Sequence, residues 1–241
     1  MMFSKSINHF YPDLAALGGL SNSLQVALRQ IGSSLTVWKA EEPFNFIEYA
    51  RVEKAPRSSQ VYVAAQERLF LFDFWARGVN FATGQSPDLP EAARAIAHWA
   101  ESGCTSADLA GAFPFVAVTE KAGIYERGEE VEDRWQTYLR SVGIPELQPF
   151  VQAASRRPIL RYLFPYTSMN TFCFSRCTGY PFTRDTPFVR PVGDGRYEVT
   201  DALEKVLGRG DAEVAAELVV GNLPPGCGPA VAGTADDLSA E

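Results

Sequence analysis

Between residues 35 and 74, four runs rich in β-branched and aromatic residues (35–40, 44–52, 61–65 and 69–74) follow one another with only short links between them. A parallel strand pair needs a crossover of a dozen or more residues, usually a helix, and these links cannot hold one. The runs therefore predict an antiparallel meander and argue against a doubly wound parallel sheet. The last of them, Leu69-Phe70-Leu71-Phe72-Asp73-Phe74, is apolar at almost every position and reads as a central strand covered on both faces.

Helical signals frame this block. Leu17, Leu20, Leu24, Leu28 and Ile31 recur at steps of three and four after Tyr11-Pro12-Asp13, with Gly18-Gly19 weakening the first turn. Asp88-Leu89-Pro90-Glu91 has the composition of a capping box and opens a helix through Trp99, and Thr105-Ser106-Ala107-Asp108 opens a shorter one. Val131, Trp135, Tyr138, Leu139 and Val142 give a further helical face, and Pro145 starts a helix that runs to about Arg157. Strands return at 171–177, 187–192 and 196–200, the last two joined by Gly193-Asp194-Gly195, a tight-turn signal, and 211–221 closes as an amphipathic helix. The order predicts an α+β fold, antiparallel sheets flanked by helices, in two similar halves (1–143 and 144–241) that either stand apart or pack as one unit. The Pro-, Gly- and Ala-rich tail after Leu223 is expected to end in disorder.

Charge narrows the function classes. The chain carries a formal net charge of −7, which argues against nucleic acid as a partner, and it has neither a signal-like N-terminus nor a membrane-length apolar run. Four cysteines in 241 residues do not suggest a disulfide framework, so a cytoplasmic protein with reduced thiols and no membrane partner is expected. Within 156–196, however, there are seven arginines, no lysine and two acids, a local charge of +5 against −12 for the remainder. Arginine among aromatics suits planar recognition of carboxylate or phosphate, and Arg161, Arg176 and Arg184 are the candidates for anion binding. Ordinary ion pairing with the acidic remainder of the chain is the competing reading.

No catalytic signature is complete. There is no Ser-His-Asp set, phosphate-binding loop, dinucleotide fingerprint or metalloprotease helix, and neither a cofactor nor a metal is implied. With only two histidines, His9 and His98, acid–base chemistry would fall to Tyr166, Tyr180, Asp185 or a carboxylate of the C-terminal tail. Thr171, Cys173, Ser175 and Cys177 alternate onto one strand face, which sets the two thiols about 13 Å apart and unable to bond each other. Cys177, beside Arg176 and entering a Gly-Tyr-Pro turn, is the candidate reactive thiol, whereas Cys173 reads as a buried small side chain. Cys227, within Pro-Pro-Gly-Cys-Gly-Pro, reads as part of a rigid connector, with a turn that presents a nucleophile or an anion nest as the alternative.

Several motifs together carry a family resemblance. Tyr11-Pro12-Asp13 with Gly18-Gly19-Leu20, then Phe74-Trp75-Ala76-Arg77-Gly78-Val79, Pro165-Tyr166-Thr167-Ser168, Cys177-Thr178-Gly179-Tyr180-Pro181-Phe182 and the closing run from Leu223 to Leu238 resemble the actinobacterial domain-of-unknown-function 6193 family, whose label is natural product biosynthesis protein. The resemblance spans nearly the whole chain and implies a pathway but no catalytic residues. Two functions follow as expectations. One is a tailoring or accessory enzyme acting on a small-molecule or peptide intermediate, including one tethered to a carrier or leader peptide. The other is a non-catalytic binding, chaperone or immunity-type partner in the same pathway.

Overall fold

The computed structural model describes residues 9–38 and 49–239. The chain divides into two compact units, Met1–Glu126 and Arg127–Glu241. Among the described residues, both have α+β architecture with an antiparallel sheet, of six strands in the first and five in the second. Gly143-Ile144-Pro145, the expected junction of the halves, lies within the second unit. Among the described residues, no helix is long and apolar enough to cross a membrane.

The first unit opens with α1 (Pro12–Ala16) and α2 (Leu20–Gln30). The helix expected on 17–31 forms as α2, starting only at Leu20 because Gly18 and Gly19 take positive φ (80° and 107°), and the short α1 before them was not expected. A meander follows in strict sequence order: β1 (Val37–Trp38), β2 (Tyr49–Lys54), β3 (Arg57–Val63), β4 (Phe70–Ala76), β5 (Val79–Ser86) and β6 (Val116–Val118). Expected strand residues 39–40 and 44–48 lie outside the described residues. Between β5 and β6 stand α3 (Leu89–Ser102) and α4 (Ser106–Ala112). Thr105 and Asp108 give α4 its full reciprocal box. In α3 Asp88 accepts from the Glu91 amide, but the Asp88 amide donates to Ser86 Oγ, which in turn donates to Glu91 Oε2, so the box is left half-formed. The short α5 (Ala122–Glu126) closes the unit.

Strand β4 departs from expectation. Phe70, Phe72 and Phe74 are buried, but Leu71 is 40 % exposed, and Asp73 and Trp75 are only partly covered. One face of this sheet packs on the hydrophobic core with α2 and α3, and among the described residues the other stays open, as antiparallel sheets allow. The apolar run is therefore half core and half surface.

The second unit contains α6 (Glu130–Arg140), a 3-10 turn (Pro145–Leu147), α7 (Gln148–Ser155) and α8 (Pro158–Arg161). Its strands are β7 (Phe164–Ser168), β8 (Thr171–Ser175), β9 (Phe188–Gly193), β10 (Arg196–Thr200) and β11 (Val206–Gly210), in sheet order β11-β10-β9-β8-β7. Helix α9 (Ala212–Gly221) packs back on this sheet. Residues 235–239, in the tail expected to be disordered, form a final helical turn, α10 (Ala235–Ser239), because Thr234 and Asp237 cap one another. The core is aromatic: Trp135, Phe150, Phe172, Phe174 and Tyr197 are essentially sealed from solvent and meet at ring separations of 5.2–6.5 Å. Such contacts add a modest specific term to the large burial term.

Candidate functional site

Strand β8 ends at Ser175, two residues short of the expected strand, and the chain turns through Arg176-Cys177-Thr178-Gly179-Tyr180-Pro181-Phe182-Thr183. Ser175 is the hub of this turn. Its fully buried hydroxyl donates to the Cys177 carbonyl at 2.7 Å and accepts from the Cys177 and Thr183 amides, both at 3.1 Å. The Arg176 amide donates to Thr183 Oγ1 at 2.9 Å, and Thr186 Oγ1 donates to the Phe174 carbonyl at 2.8 Å. Phe182 then packs over the outer face of the sheet, 4.7 Å from the Tyr166 ring and 5.4 Å from Phe164.

The closing segment of the chain clamps this turn from the other side. The Val231 amide donates to the Arg176 carbonyl, the Thr178 amide to the Val231 carbonyl, and the Gly179 amide to the Gly233 carbonyl at 2.7 Å. Cys177 pairs with Val231 as a parallel bridge, the Ala230 amide reaches the Tyr162 carbonyl, and the Ala235 amide reaches the Pro181 carbonyl. A backbone ladder of this kind needs chain positions rather than particular side chains. Gly233 takes φ +148°, a conformation that side-chain-bearing residues rarely adopt, and a Cβ there would meet the Asp237 carboxylate at 3.0 Å. Residues 129–234 match the model of a family of unknown function, DUF6193. The matched stretch lies inside the second unit, so that unit carries the likeness that the motifs extended over nearly the whole chain. In this matched region the Cys-Thr-Gly-Tyr-Pro-Phe turn and most of the closing segment are two halves of one clamp. Comparison with curated proteins finds no match, and comparison with solved structures finds none.

The clamp decides where each candidate residue stands. Cys177 is fully buried, with Sγ 3.3 Å from Ser175 Oγ and 3.6 Å from the carbonyls of Gly179 and Pro181. Tyr166 faces Cys173 across β7 and β8 and donates to the Thr183 carbonyl at 3.3 Å. Burial, reinforced by Cys173, drives the Tyr166 phenol well above its ordinary range, and burial pushes the Cys173 thiol up to about 11. Both stay protonated at neutral pH. Tyr180 is 71 % exposed at the tip of the turn, with its ring edge-on to Phe182. Asp185 is tied to Arg176, Nε to Oδ2 at 2.8 Å. Cys227 sits in a turn closed by its amide on the Pro224 carbonyl and packs against the core, and burial raises its thiol. All four cysteines are free.

The arginines are mostly spent on carboxylates. Arg156 and Arg157 meet Glu213, Arg157 also meets Glu217, and Arg161 grips both oxygens of Glu132 at 2.7 Å while lying over the Trp135 ring. Arg176 pairs with Asp185 at 2.5 Å. Of the three anion-binding candidates, Arg184 has no carboxylate partner among the described residues. It is exposed, stands 5.6 Å over the Phe188 ring, and its charge reaches Tyr166 and Cys173.

A further arrangement escaped the sequence. Arg190, Glu198 and Arg209 are register partners on β9, β10 and β11, and the nearly buried Glu198 holds one arginine on each oxygen at 2.5 Å. Both arginines are about 60 % exposed. Phe188 and Arg190 share a strand face, so Arg184, over the Phe188 ring, lies on the face that carries Arg190, Glu198 and Arg209. Position 209 lies outside the arginine-rich segment, and only the β10–β11 pairing brings it in.

Proposed function

We propose that the protein acts by binding rather than by chemistry, as a partner protein in an actinobacterial natural-product pathway of the cytoplasm. In this reading the outer face of the second sheet holds an anionic group of a pathway intermediate or of its carrier or leader peptide. The observation that carries it is the burial of Cys177: the motifs that single out this region are consumed in the clamp, and the thiol they surround is fully covered. Arg184, Arg190 and Arg209 supply the docking charge. Each keeps N–H donors beyond its present partner, and a guanidinium with free donors recognises a carboxylate or phosphate as a pair of parallel bonds. The pathway setting follows the resemblance alone.

Gene deletion in the source organism, read by metabolite profiling and followed by complementation, tests the reading. Cys177→Ser, Tyr166→Phe and Asp185→Asn restore the profile as the unaltered gene does, whereas Arg184→Glu/Arg190→Glu/Arg209→Glu fails to. Failure of folded Cys177→Ser would return the chain to the tailoring-enzyme reading.

A further inference from the structure

The open face of the first sheet is built in cross-strand rows. Tyr49, Tyr62, Leu71 and Gln85 form one row, and Arg51, Gln60, Asp73, Thr83 and Ala117 form the next. Between them lies a groove of about 420 Å3, with Asp73, Thr83 and Gln85 as its polar groups and Tyr62, Leu71 and Phe115 among its apolar ones. Its size lies within the range of small-molecule sites. Tyr62 is fixed in place by its hydroxyl, which donates to Gln60 Oε1 at 2.7 Å, and its ring lies 5.3 Å from that of Tyr49.

Asp73 is the unusual member. It stands in mid-sheet, half removed from water, and among the described residues it has no lysine or arginine partner. Its carboxyl is raised above the ordinary value by desolvation, opposed only by the Asn80 side chain. The nearest cation on its own row, Arg51, is two strands away and turned to Glu53 at 3.3 Å. An unpaired carboxylate under partial desolvation costs stability, and a cation arriving from outside relieves that cost. Aromatic faces beside it favour the same kind of ligand.

We propose that this groove binds an organic cation, a protonated primary amine carried on an aromatic or apolar body, with the ammonium on Asp73 and the body against Tyr62 and Leu71. Thr83 and Gln85 supply further hydrogen bonds. Of the neighbouring titratable groups, Tyr49 and Tyr62 are held above their usual range by burial and stay neutral, and Arg51 and Glu53 compensate each other. The pH dependence of binding therefore reports Asp73. Because its carboxyl is raised, amine binding falls away at a higher pH than for an ordinary aspartate.

The test is titration of the full chain with 2-phenylethylamine, followed by amide NMR shifts of β4 and β5, with 2-phenylethanol and 3-phenylpropionate as neutral and anionic controls. The expected result is saturable binding of the amine, weakened about tenfold or more for the alcohol and for Asp73→Asn. Thr83→Arg, at an exposed position facing Asp73 in register, plants a competing cation and should block the amine in a folded protein. Absence of amine binding, equal binding of the alcohol, or undiminished binding by Asp73→Asn or Thr83→Arg would each overturn the proposal.

Discussion

Ser175 carries no charge and faces no solvent, yet its one oxygen serves three backbone groups of the turn that follows it. Removing it leaves two buried amides and a carbonyl without their partner, and each unsatisfied buried group costs about 1–3 kcal/mol. Ser175→Ala should therefore lower the unfolding free energy by about 2 kcal/mol or more in a denaturant titration. Cys177→Ser, which keeps a small side chain beside the same carbonyls, should cost less. A larger loss at Cys177 than at Ser175 would reverse this ranking. The alternation Thr-Phe-Cys-Phe-Ser-Arg-Cys drew attention to the thiols because it resembled a strand continuing through Cys177. Nothing in the local pattern says that the strand stops at Ser175, since what stops it is the pairing of 176–181 with 230–235, more than fifty residues along the chain.

At the level of elements, the Arg190–Glu198–Arg209 ladder links three adjacent strands. Hydrogen bonds from Arg209, then Arg190, hold the Glu198 carboxyl below its ordinary value. A depressed folded-state value stabilises the fold above the unfolded value, near pH 4.3, and that contribution is lost as pH falls through the folded value. Arg190→Gln/Arg209→Gln should thus move the acid-unfolding midpoint, followed by circular dichroism, to higher pH, with the deficit present throughout the neutral range. An unchanged midpoint would mean that the ladder is electrostatically idle. Two of the strands that the sequence did not predict, β5 and β11, share a physical cause, whereas β6 escapes prediction because it is only three residues long and β7 because it carries Pro165. Strand β5 contains Gly84 because a Cβ there would meet Phe72 at 2.2 Å, and β11 contains Gly208 and Gly210 because Leu218 and Val214 of α9 lie 2.8 and 2.3 Å from where a Cβ would sit. Glycine in a strand reads as a turn until the neighbour that requires it is known. Gly84→Ala should destabilise the fold by about 1–3 kcal/mol through overpacking, measured as a lowered Tm.

At the scale of the whole molecule, the α+β class, the antiparallel order of the first sheet and the capped helices were legible because they rest on local signals: short links, periodicity and caps. The candidate site was legible only as a concentration of arginine, proline and glycine, since its geometry depends on contacts between distant segments. In the proposed function the residues marking this region build a clamp, and its thiol is structural. Native-state alkylation of the four free cysteines with iodoacetamide at neutral pH, resolved by peptide mass spectrometry, tests this most directly. The partly exposed Cys104 and Cys227 should label first, while Cys177 and Cys173 should label only as fast as the second unit unfolds, and all four should label together in denaturant. Labelling of Cys177 in the folded protein as fast as that of Cys227 would contradict the account.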